Sequence, residues 1–415
     1  MKNEQLWSLM IRVCVVLTVV VMIASVSWAI TGYTKVYSFT GGVDGRDPAT
    51  ALTFDSAGNA YGTTAAGGDF DLGAVFQLTP SGDGFVETVI YSFTGGSDGS
   101  DPHGGVILGA DGNLYGTAVA GGVGGVCTGD GCGVVFKLTP FGGQWSETTL
   151  YSFKGGTDGW GPGGRVVFDA AGNLFGTTPN GGKFSFGTIF KLTLTTKGTW
   201  NERIIHNFTG GKDGATGSLG DLIFDAAGHI YGVAEQGGAN GAGTVYKLSH
   251  SPTGGWILTT LYAFKGMPDA AFPFGGLIFD AAGNLYGTTY FGGTAGMGTV
   301  FQLAPGPNGK WQENILYNFL GGTDGSLPTS TLIFDARGRL FGTTSAGGRV
   351  TCDCGTVFKL TLSSGSWNEK IVHLFGGSDG FAPNYGLTFN PAGDLYGATP
   401  AGGTFHEGMI FKFTP

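Results

Sequence analysis

LIFDAAGNLYGTT spans residues 277–289. It opens on a short apolar run, turns at Ala281-Ala282-Gly283-Asn284, and continues into a second run carrying an aromatic and a glycine. Runs of this length bounded by Gly, Asn and Asp read as strands joined by a tight turn. Beyond Gly292-Gly293 a third run, GTVFQL (298–303), is rich in β-branched and aromatic residues, and a Pro/Gly/Asn-rich turn leads into a fourth, WQENILYNF (311–319). No window of helical length carries a 3.6-residue period, so the chain reads as all-β.

The same four runs recur along the chain. The turn glycines Gly58, Gly112, Gly172, Gly228, Gly283, Gly338 and Gly393 mark seven copies at spacings of 54, 60, 56, 55, 55 and 55. A period near 55 with four antiparallel strands per copy is the signature of a seven-bladed β-propeller. The strands show little polar/apolar alternation, as suits sheets covered on both faces by neighbouring blades. The ends of the chain complement each other. KVYSFTGGVDG (35–45) matches the fourth-strand stretch at 91–99, whereas GMIFKFTP (408–415) is a third strand with no fourth after it. The N-terminal strand is therefore expected to close the ring by pairing with the last repeat, removing two sheet edges.

The 41% hydrophobic content supports a large core, and the 82 glycines, recurring at fixed places, mark turns rather than low complexity. Residues 1–29 read as a signal peptide: Lys2 and Arg12, an apolar run from Val13, then Ser27-Trp28-Ala29 before the cut. An uncleaved anchor is the rival, because 13–30 is an uncharged stretch of 18 residues. Either reading exports the chain, leaving 30–415 as one propeller domain. Without the leader the net charge moves from −9 to −10, and an acidic surface without basic clusters argues against nucleic acid as a partner.

Cys127, Cys132, Cys352 and Cys354 remain after removal of Cys14 with the leader. An even count in an exported protein favours disulfides. From the second glycine of Gly-Gly to the glycine opening the third strand the chain advances 5 residues in five repeats, 11 in repeat 2 and 7 in repeat 6. The cysteines lie in those two longer loops, which disulfides would staple. A shared zinc site is disfavoured because repeats 2 and 6 lie nearly across the ring.

The recurrence of N-L-Y-G-T-T, a Gly-Gly pair and G-T-V-F-[KQ]-L, in that order, resembles the GloVer tandem repeat of exported bacterial choice-of-anchor proteins. The resemblance covers residues 31–415 and implies export and a repeat fold. It carries no catalytic residue. Family members usually end in a sorting segment, whereas this sequence stops at GMIFKFTP.

Features shared by all repeats are expected to serve the fold. Asp55, Asp169, Asp225, Asp280 and Asp335, and the solitary aspartates of the G-G-x-D-G loops, are too sparse for calcium and read as turn caps. Glu87, Glu147, Glu202, Glu313 and Glu369 on the fourth strand read as solvated edge charges. Function is sought where the symmetry breaks, on the face formed by the loops between strands two and three and the blade-joining loops. Trp160, Arg165, Asp221, Glu235, Tyr290 and Tyr385 are the candidate ligand-binding residues there. Arg165 and Asp221 hold one repeat position in adjacent blades, suited to an ion pair flanking the channel. His229 replaces the hairpin Asn of repeat 4 and reads as a turn residue on the opposite face from Glu235, so no Ser/His/Asp arrangement forms. The expectation is a monomeric binding module for an extracellular glycan, peptide or protein, with no catalytic residue, metal or cofactor assigned. A polysaccharide- or lactone-directed enzyme is the alternative, and a structural surface protein a second.

Overall fold

The computed structural model describes residues 32–49, 51–127, 129–217 and 220–414. The expected signal peptide, 1–29, lies outside the described residues.

In LIFDAAGNLYGTT the turn is tied from inside. Asp280 accepts hydrogen bonds from the Ala282 and Asn284 backbone N–H groups (both 2.9 Å), from Asn284 Nδ2 (2.7 Å) and from the Tyr286 hydroxyl (2.9 Å). Gly283 takes φ 83°, a left-handed conformation that glycine adopts without steric cost. Repeat 2, with Gly109 at the aspartate position, moves the carboxylate to Asp111, which accepts from Asn113 Nδ2 and the Tyr115 hydroxyl at 2.6 Å each. His229 plays the asparagine's part in repeat 4, its Nδ1 lying 2.7 Å from Asp225 Oδ2. The aspartates are turn caps, as the spacing suggests.

Seven antiparallel sheets result, with strands in chain order from the innermost outward, save that blade 7 takes its outermost strand from the start of the chain. In blade 5 the four blade strands are Ile278–Phe279, Leu285–Gly292, Thr299–Pro305 and Trp311–Asn318, and the blade-joining segment Ala270–Pro273 adds a fifth pairing along the second of them. The register sets Gly287 opposite Phe301, and a Cβ on Gly287 would come within 2.6 Å of the ring. This close approach recurs at Gly116, Gly176, Gly342 and Gly397, which explains why the segment spells glycine there.

The core lies in the gaps between blades. Tyr286, Val300 and Phe319 of blade 5 pack with Leu332, Leu340 and Phe358 of blade 6, and the other six clusters also join neighbours, as between blades 1 and 2 and blades 2 and 3. Burying each such large apolar side chain contributes roughly 1.5–3 kcal/mol. The aromatic of strand two meets the next blade edge-on, as Tyr286 meets Phe334 (5.1 Å) and Trp367 (6.3 Å).

The ring closes as the chain ends suggest. Strand Gly32–Ser38 pairs antiparallel with Met409–Thr414, with Thr34 opposite Lys412, so blade 7 contains both ends of the described chain. Phe39 is fully buried against Phe76 of blade 1 at 5.1 Å.

One expectation is corrected. The fourth-strand glutamates are half-buried against the preceding blade rather than solvated. Tyr262, the last blade-4 strand's tyrosine, donates to Asp269 (3.1 Å) and to Glu313 of blade 5 (2.9 Å). Glu87, Glu202, Glu313 and Glu369 each keep one buried carboxyl oxygen without a partner. Burial first, then the neighbouring loop aspartate, pushes Glu87, Glu202 and Glu369 up to about 7 and Glu313 to about 8. Burial does the same for Glu147, up to about 7. Strand four is outermost in its sheet, yet the side chain at this position points into the blade gap. Where the tyrosine is His206 or His373, the glutamate position holds Leu258 or Tyr33, and Tyr33 stacks on His373 at 4.3 Å.

The cysteines pair within their loops as Cys127–Cys132 and Cys352–Cys354. Cys132 and Cys354 are buried at the position Leu72 holds in blade 1, directly before the glycine that opens strand three. Each disulfide thus caps a blade gap. Among the described residues no helix is long and apolar enough to cross a membrane.

Candidate functional site

The blade-joining segments aim residues at the axis. In six blades a proline stands four positions before the apolar residue that leads into the innermost strand: Pro48, Pro102, Pro162, Pro273, Pro328 and Pro383. The residue before it has left-handed backbone, φ 59° at Asp101 and 56° at Leu327 for example, a conformation costing a non-glycine residue of order 1–3 kcal/mol. The preceding blade holds it there: Asp101 N–H donates to Leu72 C=O and Leu327 N–H to Met297 C=O, both at 2.9 Å. Pro102 also packs so closely on Gly73 that a Cβ there would lie 2.4 Å from it. The latch delivers the three residues after each proline to the channel mouth.

There they line a cavity of about 820 Å³ reached by all seven blades. Its walls include Arg165, Asp221, Glu235, Tyr290 and Tyr385, five of the six candidate residues, brought together from blades 3, 4, 5 and 7. Trp160 is the exception. It does not line the cavity; its backbone bridges to Asn180, leaving the indole 41% exposed on the same face.

Arg165 spans the channel. Its Nη2 donates to the Ala51 carbonyl of blade 1 at 2.9 Å, two blades away. Its backbone N–H donates to Asp221 Oδ1 at 3.2 Å, and its Nε lies 3.7 Å from Asp221 Oδ2. The expected pair therefore exists, and it closes the floor. Burial raises the Asp221 carboxyl above its ordinary range, against the opposing pull of Arg165. Glu235 and Tyr290 hold one strand-two position in blades 4 and 5, and burial raises Glu235 as well. Phe274 lies 6.3 Å from the Tyr290 ring, the planes inclined by 40°.

On the opposite wall the sequence singled out Tyr385 but not His103 or Asp101. His103 Nε2 lies 2.8 Å from Asp101 Oδ1, and its Nδ1 lies 3.2 Å from the Tyr385 hydroxyl. Burial lowers the imidazole's proton affinity, but Asp101, by hydrogen bond and charge, and Asp47 outweigh it and hold it above its ordinary value. Tyr385 is raised by burial and by the charges of Asp47 and Asp101. Asp47 keeps a buried Oδ1 without a partner. The signal was present: His103 follows its proline where blades 1 and 3 carry Ala49 and Gly163, the same departure from symmetry that singled out Tyr385.

The Gloeobacter/Verrucomicrobia repeat model matches residues 22–222 and 218–415, which together take in all seven blades. The chain belongs to the Gloeobacter/Verrucomicrobia repeat family. No curated protein matches it in sequence. Among solved structures, a fungal alcohol oxidase of the AA5 family, in complex with copper, is 15% identical over 93% of this chain and 77% of its own, with a TM-score of 0.54. A glucose-dehydrogenase-type oxidoreductase candidate from Thermus thermophilus is 15% identical over 92% and 99%, with a TM-score of 0.42. A gluconolactonase candidate is 14% identical over 82% and 94%, with a TM-score of 0.40. At that identity the likeness to the alcohol oxidase speaks for the fold alone.

The repeat family member thus presents, at the channel mouth, a concave site with three chemical regions. The floor is an ion pair, one wall combines a carboxylate with aromatic rings, and the other is an Asp–His–Tyr hydrogen-bonded chain.

Proposed function

We propose that this repeat protein is an exported binding module that takes a small polar ligand, a saccharide unit, in its axial cavity. One observation carries the reading: residues that depart from the seven-fold repeat, far apart in the chain, converge on one concave site while the shared residues serve turns and blade gaps. Aromatic rings beside hydrogen-bonding groups suit a sugar, whose faces are apolar and whose rim is hydroxylated. Two disulfides accord with an oxidising compartment outside the cytosol. Calorimetry on the mature chain with a saccharide panel tests it. Binding that Tyr290→Ala and Tyr385→Ala weaken about tenfold or more is expected from the loss of an aromatic contact and a hydrogen bond. Binding unaffected by both would contradict it.

A second reading has one observation of its own. In the Asp101–His103–Tyr385 chain a carboxylate orients an imidazole that touches a phenol at the cavity wall, the arrangement of a proton relay. A lactone- or polysaccharide-directed activity would use it. Turnover abolished by Tyr385→Phe would favour this enzyme reading, and no turnover across a lactone and glycan screen would remove it.

A further inference from the structure

The charged groups lining the cavity are Arg165, Asp221, Glu235 and His103. Three of them are matched. Arg165 faces Asp221 at 3.7 Å and is bound through Nη2 to the Ala51 carbonyl. His103 faces Asp101 at 2.8 Å. Glu235 stands apart: among the described residues its carboxylate has neither a hydrogen bond nor an ion pair. Burial alone raises its proton affinity, the mark of a carboxylate partly withdrawn from water without a counter-charge.

Its surroundings narrow what could supply that charge. Tyr290 lies at the equivalent position of the next blade, and Phe274, inclined to it at 6.3 Å, extends the aromatic surface. A carboxylate beside aromatic rings is the environment that selects an ammonium group, through a charge-assisted hydrogen bond and the negative faces of the rings. An acidic ligand meets the reverse situation. The one guanidinium in the cavity is already committed to Ala51 and Asp221, and two carboxylates would repel the newcomer.

We infer that the Glu235–Tyr290–Phe274 wall recognises a primary ammonium group, so that the ligand of the axial cavity is an amino sugar with a free amine. This rests on the saccharide reading above and makes it specific. An N-acetylated sugar, carrying a neutral amide in place of the cation, would leave Glu235 unmatched and bind less well.

The test is isothermal titration of the full mature chain at pH 7 with four probes: a glucosamine oligomer, the same oligomer fully N-acetylated, a neutral glucose oligomer of equal length, and a lysine tripeptide. The inference expects the glucosamine oligomer to bind about tenfold tighter or more than either counterpart, the usual scale for one charge-assisted contact. In Glu235→Gln, which keeps the shape and removes the charge, that preference should disappear. Equal or tighter binding of the neutral or acetylated oligomer by the unaltered protein would overturn the amine assignment and leave the saccharide reading standing. Binding of none of the three sugars and of no lysine tripeptide would overturn both. A lysine tripeptide bound in place of every sugar would assign the ammonium wall to a peptide and overturn the saccharide half. The contrast among probes on the unaltered protein stands even if the variant folds poorly.

Discussion

At the scale of single residues, each repeated letter has a mechanical reason. Gly287 faces the Phe301 ring so closely that an added methyl has no room, and overpacking of a filled core typically costs about 1–3 kcal/mol. Gly287→Ala should therefore lower the denaturant midpoint by a corresponding amount, whereas Gly283→Ala should act mainly through its left-handed backbone. An unchanged midpoint for Gly287→Ala would contradict the packing. The blade-gap glutamates make a second prediction. Their carboxyl groups, near 4.5 in an unfolded chain, rise to about 7 at Glu87, Glu147, Glu202 and Glu369 and to about 8 at Glu313. The native state holds these protons more tightly, so their stabilising contribution is whole below about pH 4.5 and is lost as pH rises through 7 to 8. His206 and His373, lowered by burial, act in the opposite sense but are already neutral above about pH 6.5. Melting temperature should fall between about pH 6.5 and 8 and level off above that, and Glu313→Gln should flatten that slope. A melting temperature that rises over this interval would refute the assignment.

Blades and their connections form the next scale. The innermost strand of each blade has only two or three residues, too little to stand alone, so stability resides in packing between neighbours. The strand Gly32–Ser38 is then not an appendage, because it supplies the missing edge of blade 7. Deleting residues 32–40 should lower the melting temperature sharply and expose apolar surface. Cysteines at Thr34 and Lys412, opposed in the register, should cross-link within one chain; cross-links found only between chains would mean the ring closes by exchange of strands. Much of this was legible beforehand. The turn aspartates, the four runs and the complementary ends each carry a local chemical signature that repeats around the ring, so noise in one copy is averaged away. The glutamates read as solvated because their sequence run is the outermost strand of its sheet. Whether a side chain there meets water or the adjacent blade depends on how two sheets stack, which no single strand encodes.

The whole molecule turns repetition into a site. Latches of proline on the preceding blade bring variable three-residue segments to one axis, so the floor pair Arg165–Asp221 forms between blades and the guanidinium reaches Ala51 across the channel. Arg165 and Asp221 could be matched from the sequence because they share a repeat position. Trp160 shares the face yet stays outside the cavity, since the repeat fixes which face a residue occupies but not how far from the axis its side chain ends. His103, Asp101 and Tyr385 come from blades 2 and 7, which touch the same wall only once the ring is closed. The most direct measurement is a crystal structure of residues 30–415 grown with a glucosamine oligomer. Ordered density in the axial cavity, with an amine within hydrogen-bonding distance of the Glu235 carboxylate, is the expected result. Density confined to the outer rim around Trp160, with the cavity filled by water alone, would contradict it.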